Sequence, residues 1–164
     1  MHIRNFRHDD IGSVTSIYGH HVLHGSASFE TEPPSEQDML ARFVRLEDRQ
    51  FPILVAEDET GLVCGYAYAG PHKDRQAYQY TVEDSIYIHP DFTSRGIGTS
   101  LLSELLIRSQ QRGYRQMIAV IGDSDNRASI SLHQKAGFFM IGTAVELGFK
   151  HGRFIDVVFM QKTI

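Results

Sequence analysis

The sequence has no tryptophan and a single cysteine, Cys64. One cysteine excludes an internal disulfide and fits a reducing, cytoplasmic setting. Its place in LVCGYAYAG, in the middle of an apolar run, reads as inert core. Long hydrophobic runs are missing: none approaches the roughly 20 residues a helix needs to span a bilayer. The opening MHIRNFRHDD also lacks the apolar centre of a signal peptide. Basic charge is scarce. Sixteen Lys and Arg against 20 Asp and Glu give a formal net charge of -4, which argues against nucleic acid or an anionic membrane as partner. There is no low-complexity stretch, internal repeat or evident linker. What is present is 164 residues of ordinary globular composition, 41% hydrophobic and 22% charged, which reads as one domain able to bury a core.

Periodicity predicts the elements. Residues 2–7 read as a short strand. Asp9 or Asp10 then caps a helix with Ile11, Val14, Ile17, Tyr18 and Val22 on one face. A polar loop, HGSASFETEPP, follows. Ser35 and Asp38 form a capping box ahead of the stripe Met39, Leu40, Phe43 and Val44. Residues 51–56 and 62–69 are strands joined through EDETG, and a longer strand covers 78–88. The helix at 96–113 carries Ile97, Leu101, Leu102, Leu105 and Leu106. MIAVI at 117–121 has the pattern of a strand buried on both faces. A short helix at 126–135 ends at Gly137, and strands at 138–149 and 153–161 meet at His151-Gly152. The order β-α-α-β-β-β-α-β-α-β-β implies a mixed α/β sheet with helices on both sides.

The chemistry concentrates in YTVEDSIYIHPDFTSRGIGTSLL, residues 80–102, where a strand, a glycine loop and a helix start follow one another. Helix-start N–H groups lack internal partners and sit at the positive end of the dipole, and glycines let that backbone approach a phosphate. Ser94, Arg95, Gly96, Ile97, Gly98 and Thr99 therefore read as a pyrophosphate cradle. A Walker loop is excluded because GxxxxGK[ST] is absent. A dinucleotide fingerprint fits poorly because Leu101 stands at the third glycine position. An ordinary tight turn is the alternative for the glycine pair taken alone. Nine histidines, chiefly HHVLH at 20–24, raise the question of a metal; His20 and His24 are a helical turn apart, but no HExxH glutamate or third ligand accompanies them, so no metal is expected.

Two stretches, the glycine loop and residues 126–138, resemble the GNAT superfamily of N-acetyltransferases. The loop is similar to the superfamily's [QR]-x-x-G-x-[GA], with Thr93 departing at the first position and Arg95 beside the first glycine. Asn126, Ala128-Ser129 and LHQKAGF at 132–138 resemble its second signature, N-x-x-A/S-x-x-L-Y-x-K-x-G-F. Within the superfamily the chain is similar to phosphinothricin and methionine sulfoximine N-acetyltransferases. The similarity runs through IYGHHVLHGSASFETEPPS (17–35), PILVAEDETGLVCGYAYAG (52–70), AYQYTVEDSIYI (77–88), AVIGDSDNRASISLHQKAGF (119–138) and GFKHGRFIDVVFMQ (148–161). Phe154 stands where relatives often carry Trp. The resemblance implies a central mixed, mostly antiparallel sheet of about seven strands with about four helices. It also implies acetyl-CoA as co-substrate and a small amino-acid-like amine as acceptor, an activity that would confer resistance.

Roles follow for single residues. An ammonium must lose a proton before it attacks a thioester, and Glu83 on the 78–88 strand is the candidate base; the alternative is that it only binds the ammonium or solvates the strand. Asp84 is expected on the opposite face, in a structural role. The resemblance implies that Ile86, Tyr87 and Ile88 hold the pantetheine arm by backbone bonds, in a splay between this strand and 117–121. A backbone N–H near Ile86 would serve the oxyanion. His133 stands at the superfamily's acid position, with coenzyme contact or helix packing as alternatives. Asn126 and Ser129 either touch the coenzyme or cap their helix. Lys73 and Arg75, with Asp74 between them, are candidates for the substrate carboxylate. Phe29, Thr31 and Tyr78 are implied pocket walls. The last hairpin, with Phe149, Phe154, Val157, Val158 and Phe159, needs covering, and the resemblance implies that it helps build a homodimer whose neighbour shapes the substrate pocket. Other readings are acetylation of a protein N-terminus or polyamine, and a non-catalytic acyl-CoA sensor.

Overall fold

A computed structural model describes residues 1–164. In chain order, β1 (His2–Asn5) leads through a 3-10 turn into α1 (Ile11–His24) and α2 (Glu36–Asp48), then β2 (Ile53–Glu57) and β3 (Val63–Pro71). A second 3-10 turn (Gln76–Tyr78) precedes β4 (Thr81–Ile88); α3 (Ile97–Gln111), β5 (Gln116–Gly122), α4 (Arg127–Lys135), β6 (Phe139–Lys150) and β7 (Arg153–Thr163) complete the chain. One sheet holds all seven strands in the order β1-β2-β3-β4-β5-β7-β6. Every neighbouring pair is antiparallel except β4 with β5. The expected mixed, mostly antiparallel α/β architecture is therefore present.

The helices cover the two faces. α1 and α2 bury Val14, Ile17, Val22, Met39 and Phe43 against Ile53, Val55, Tyr66 and Tyr87. α3 buries Leu101, Leu102 and Leu105 against Leu54, Ala67, Val82, Met117 and Ala119 on the other face, where Cys64 also lies. Alternation along β4 thus sends Val82, Ile86 and Ile88 to the α3 side and Tyr87 to the α1 side. No helix is long and apolar enough to cross a membrane.

Local expectations hold at the α2 start, where the Ser35 hydroxyl accepts the Asp38 N–H at 3.1 Å and the Asp38 carboxylate accepts the Ser35 N–H at 3.2 Å. They fail at α1. Asp10 has helical backbone angles and its side chain caps no N–H of α1; its carboxylate is taken by Arg4 at 2.7 and 2.8 Å and by the Arg7 N–H, a contact that caps the preceding 3-10 turn instead. Those donors hold the Asp10 carboxyl below its usual range despite the opposing effect of burial. β4 begins at Thr81 rather than at residue 78, because residues 76–78 close a 3-10 turn. In β5, Val120 is exposed while its neighbours are buried, so this strand is not covered along its whole length. In the last hairpin Val157 and Val158 are core. The uncovered apolar surface belongs mainly to β6, with Phe139, Ile141, Val145, Leu147 and Phe149, joined by Phe154 of β7.

Candidate active site

The site begins where the one parallel pair fails. Residues 81–83 of β4 pair with 116–118 of β5, and beyond Glu83 the strands part. The seam opens into a cavity of about 60 Å³ walled by residues 84–87, residues 119–122, Ala27, and Asn126, Ser129 and His133 of α4. The expected splay is present, and Val120 is exposed because it faces this opening. Ile86 and Tyr87 line it, although the Tyr87 ring itself turns away to pack edge-on against Tyr18 at 5.0 Å. Ile88 is half-buried, and its carbonyl accepts from His21 of α1 at 2.8 Å.

Beyond Ile88 the chain turns through Pro90–Phe92 and Ser94 into the start of α3. Gly96 is the N-cap, at φ 78°, a left-handed conformation in which any other residue is strained. No side chain caps α3 and no acidic residue stands in its first turn, so its leading N–H groups are open to an anion. Ser94, Thr99 and Arg95 are exposed around this helix start. The Arg95 guanidinium lies 4.7 Å from the Phe92 ring and donates to the Asp91 carbonyl at 2.9 Å. Ile97 is buried beneath the loop, and Gly98 packs close to Leu132 of α4.

Two imidazole–carboxylate pairs flank the seam, one on each face of β4. Glu83 Oε1 lies 2.6 Å from His72 Nδ1 at the end of β3, and both are part-exposed. The His72 ring meets Tyr78 edge-on at 5.7 Å, and the Lys73 ammonium lies 5.2 Å from the same ring. Lys73, Asp74 and Arg75 are exposed on the loop between β3 and β4. On the other face, His133 Nε2 lies 2.9 Å from Asp84 Oδ2 and Nδ1 lies 2.7 Å from the Ser129 carbonyl. Desolvation, the largest single effect, works against the charged ring, but the Asp84 carboxylate and the Ser129 carbonyl together outweigh it and His133 is held above the ordinary histidine range. Asp84 does take the face opposite Glu83, but there it reaches the cavity and His133, which its strand position alone did not reveal.

Asn126 caps α4 by accepting the Ser129 N–H at 3.2 Å, and both residues also line the cavity. The loop before α2 is pinned from several sides. Lys150 Nζ donates to the carbonyls of Gly25 at 2.8 Å and Ser28 at 2.5 Å, and Arg42 and the Tyr18 hydroxyl donate to Glu30. This loop carries Phe29, whose ring lies against Gly148 of β6, and Thr31, which is exposed and apart from the cavity. His72, Asp84, Ala27 and Val120 were not among the expected site residues. No group of three or more His, Cys, Asp or Glu side chains is arranged to hold a metal ion.

Compared with known proteins, residues 17–138 match the profile of the Acetyltransferase (GNAT) family. The chain is 46% identical over 162 residues to a phosphinothricin N-acetyltransferase of Alcaligenes faecalis, covering 99% of this chain and 82% of that one. It is 37% identical over 161 residues to an L-methionine sulfoximine/L-methionine sulfone acetyltransferase of Salmonella typhimurium, covering 98% and 93%. Among solved structures, it superposes with a TM-score of 0.97 and 45% identity on a phosphinothricin acetyltransferase from Sinorhizobium meliloti in complex with AcCoA, covering 99% of this chain and 88% of that one. Taken with the seam and the helix-start cradle, these likenesses make the chain a member of the acetyltransferase (GNAT) family.

Proposed function

We propose that this protein transfers an acetyl group from acetyl-coenzyme A to the amine of a small amino-acid-like molecule of the phosphinothricin or methionine sulfoximine type. The observation that carries the reading is the seam at Glu83, where β4 and β5 part between two imidazole–carboxylate pairs. The chain fits the coenzyme: the uncapped start of α3 behind Gly96 suits a pyrophosphate, and the free strand backbone past Glu83 suits an arm rich in amides. Ser94, Arg95 and Thr99 add donors at the cradle, while Asn126 and Ser129 close the other wall. Bound acetyl-coenzyme A supplies the thioester.

Glu83, with His72 beside it, takes a proton from the substrate ammonium, freeing the lone pair that attacks the carbonyl carbon. A backbone N–H near Ile86 stabilises the charge that collects on the carbonyl oxygen. Lys73 and Arg75 draw the substrate carboxylate toward Tyr78, and Phe29 and Thr31 bound the acceptor side. His133 is the acid for the departing thiolate. A second copy of the chain covers the apolar β6 surface.

The test is thiol release from acetyl-CoA by purified protein offered phosphinothricin, methionine sulfoximine, methionine sulfone, common amino acids, spermidine and short peptides. Turnover confined to the first three is expected. Turnover of peptides or spermidine alone would overturn the acceptor class, and silence with acetyl-CoA still bound would favour a sensor. Glu83→Gln should lower kcat/KM by about 10²–10⁴-fold while acetyl-CoA binding is kept. Full turnover by that variant would remove Glu83 from the mechanism.

A further inference from the structure

Asp84 and His133 meet where β4 begins to leave β5, and their side chains are almost fully enclosed, 3% and 4% exposed. The partners fix the ring's protons. The Ser129 carbonyl can only accept, so Nδ1 carries a hydrogen. Nε2 either faces the carboxylate bare or donates to it. Burial favours the neutral ring, yet the adjacent carboxylate and the Ser129 carbonyl together prevail and His133 holds its proton above the usual range. With Nδ1 tied to its own helix, the Nε2–H is the ring's one transferable proton; it rests on Asp84 Oδ2 and must leave that oxygen to serve the cavity that both residues line.

One observation separates this pair from core filler. Asp84 Oδ1 is buried and has no hydrogen-bond partner in the chain. A bare buried acceptor is costly unless an incoming group meets it, so the pair is complete only when the cavity is filled. Few charges compete for His133. The β5 wall contributes no titratable side chain, and Tyr87 of β4 stays neutral because burial lifts its phenol well above 10. Phe138 packs edge-on against the ring at 5.0 Å, and Arg127 and Lys135 on α4 are exposed.

We propose that Asp84 is a positioning residue of the reaction, fixing the His133 ring against the cavity and keeping it charged so that it can protonate the leaving thiolate. The proposal rests on the acetyl-transfer reading above. As the carbon–sulfur bond breaks, its electron pair goes to sulfur. The Nε2 proton gives up its hydrogen bond to Asp84 Oδ2 and moves to that sulfur while the N–H pair stays on nitrogen. Neutral His133 then regains a proton from water beside the Asp84 carboxylate.

Asp84→Asn keeps the shape and one acceptor oxygen but removes the charge. NMR titration of the His133 ring in ligand-free protein should give a value above about 6.5 in the original chain and a lower one in the variant. In thiol release with phosphinothricin, the variant should approach the original kcat/KM near about pH 5.5 and fall progressively further behind toward about pH 8, because a ring without the carboxylate beside it loses its proton at lower pH. In a His133→Gln background, Asp84→Asn should change the pH profile no further. An unmoved His133 titration, or a loss of equal size at every pH, overturns the proposal. If Asp84→Asn does not fold, Asp84→Ser is read in the same way. A charged His133 in a protein that acetylates none of the amines would sink the acetyl-transfer reading, and the thiolate step with it, while leaving the charged pair standing.

Discussion

Tyr66 is wholly buried between the sheet and α1, and its hydroxyl has no hydrogen-bond partner. Burial raises its phenol well above 10, so the group is neutral, but an unpaired buried hydroxyl still costs stability. Tyr66→Phe should therefore stabilise the protein by about 1 kcal/mol, read from urea denaturation; a clear loss of stability would mean the hydroxyl has a partner after all. At this same scale, residues differ in how far they could be foreseen. The placement of Glu83 on the strand at the seam and of His133 on the short helix could be read ahead, because each sits inside a recognisable stretch of sequence. Asp84 was legible only as the residue facing away from Glu83. Its partner lies 49 positions downstream, on a helix whose docking no local pattern encodes. His72 is a nearer case, 11 residues from Glu83, but the contact exists only because Pro71 registers against Val82 across the β3–β4 pair.

Elements were foreseen in number and order, because buried faces repeat with the period of the helix or strand. Their irregularities were not. The register of β6 on β7 shifts between Met140 and Gly142 and again between Ala144 and Gly148, and such bulges leave no periodic trace. The second shift places Gly148 under the Phe29 ring, and a methyl group built there overlaps the ring. Gly148→Ala should therefore push Phe29 and its loop outward. We expect a destabilisation of about 1–3 kcal/mol, the usual cost of overpacking, and a raised KM for the amine with acetyl-CoA affinity kept. Thermal denaturation and steady-state kinetics would check this. An unchanged amine KM would place Phe29 outside the acceptor pocket.

Across the whole molecule, the outermost strand β6 carries Val145 at 74% and Leu147 at 62% exposed, with Phe149 and Phe154 beside them at 60% each. A patch of this kind is rarely left to water. Light scattering should report a dimer, and Leu147→Asp should yield a monomer that retains its fold. A monomeric original chain would show instead that the patch stays uncovered. The seam between β4 and β5 gives the sheet a further property. A seven-stranded sheet has two edges, but this one has four: β1, β6, and the two facing margins where residues 84–88 and 119–122 lack each other's hydrogen bonds. Bare strand margins invite pairing with other chains and so aggregation. Here the inner pair is sunk in a cleft of about 60 Å³ behind α4 and Ala27. A cleft this narrow admits no second polypeptide strand, so the two inner margins are kept out of self-assembly without being paired.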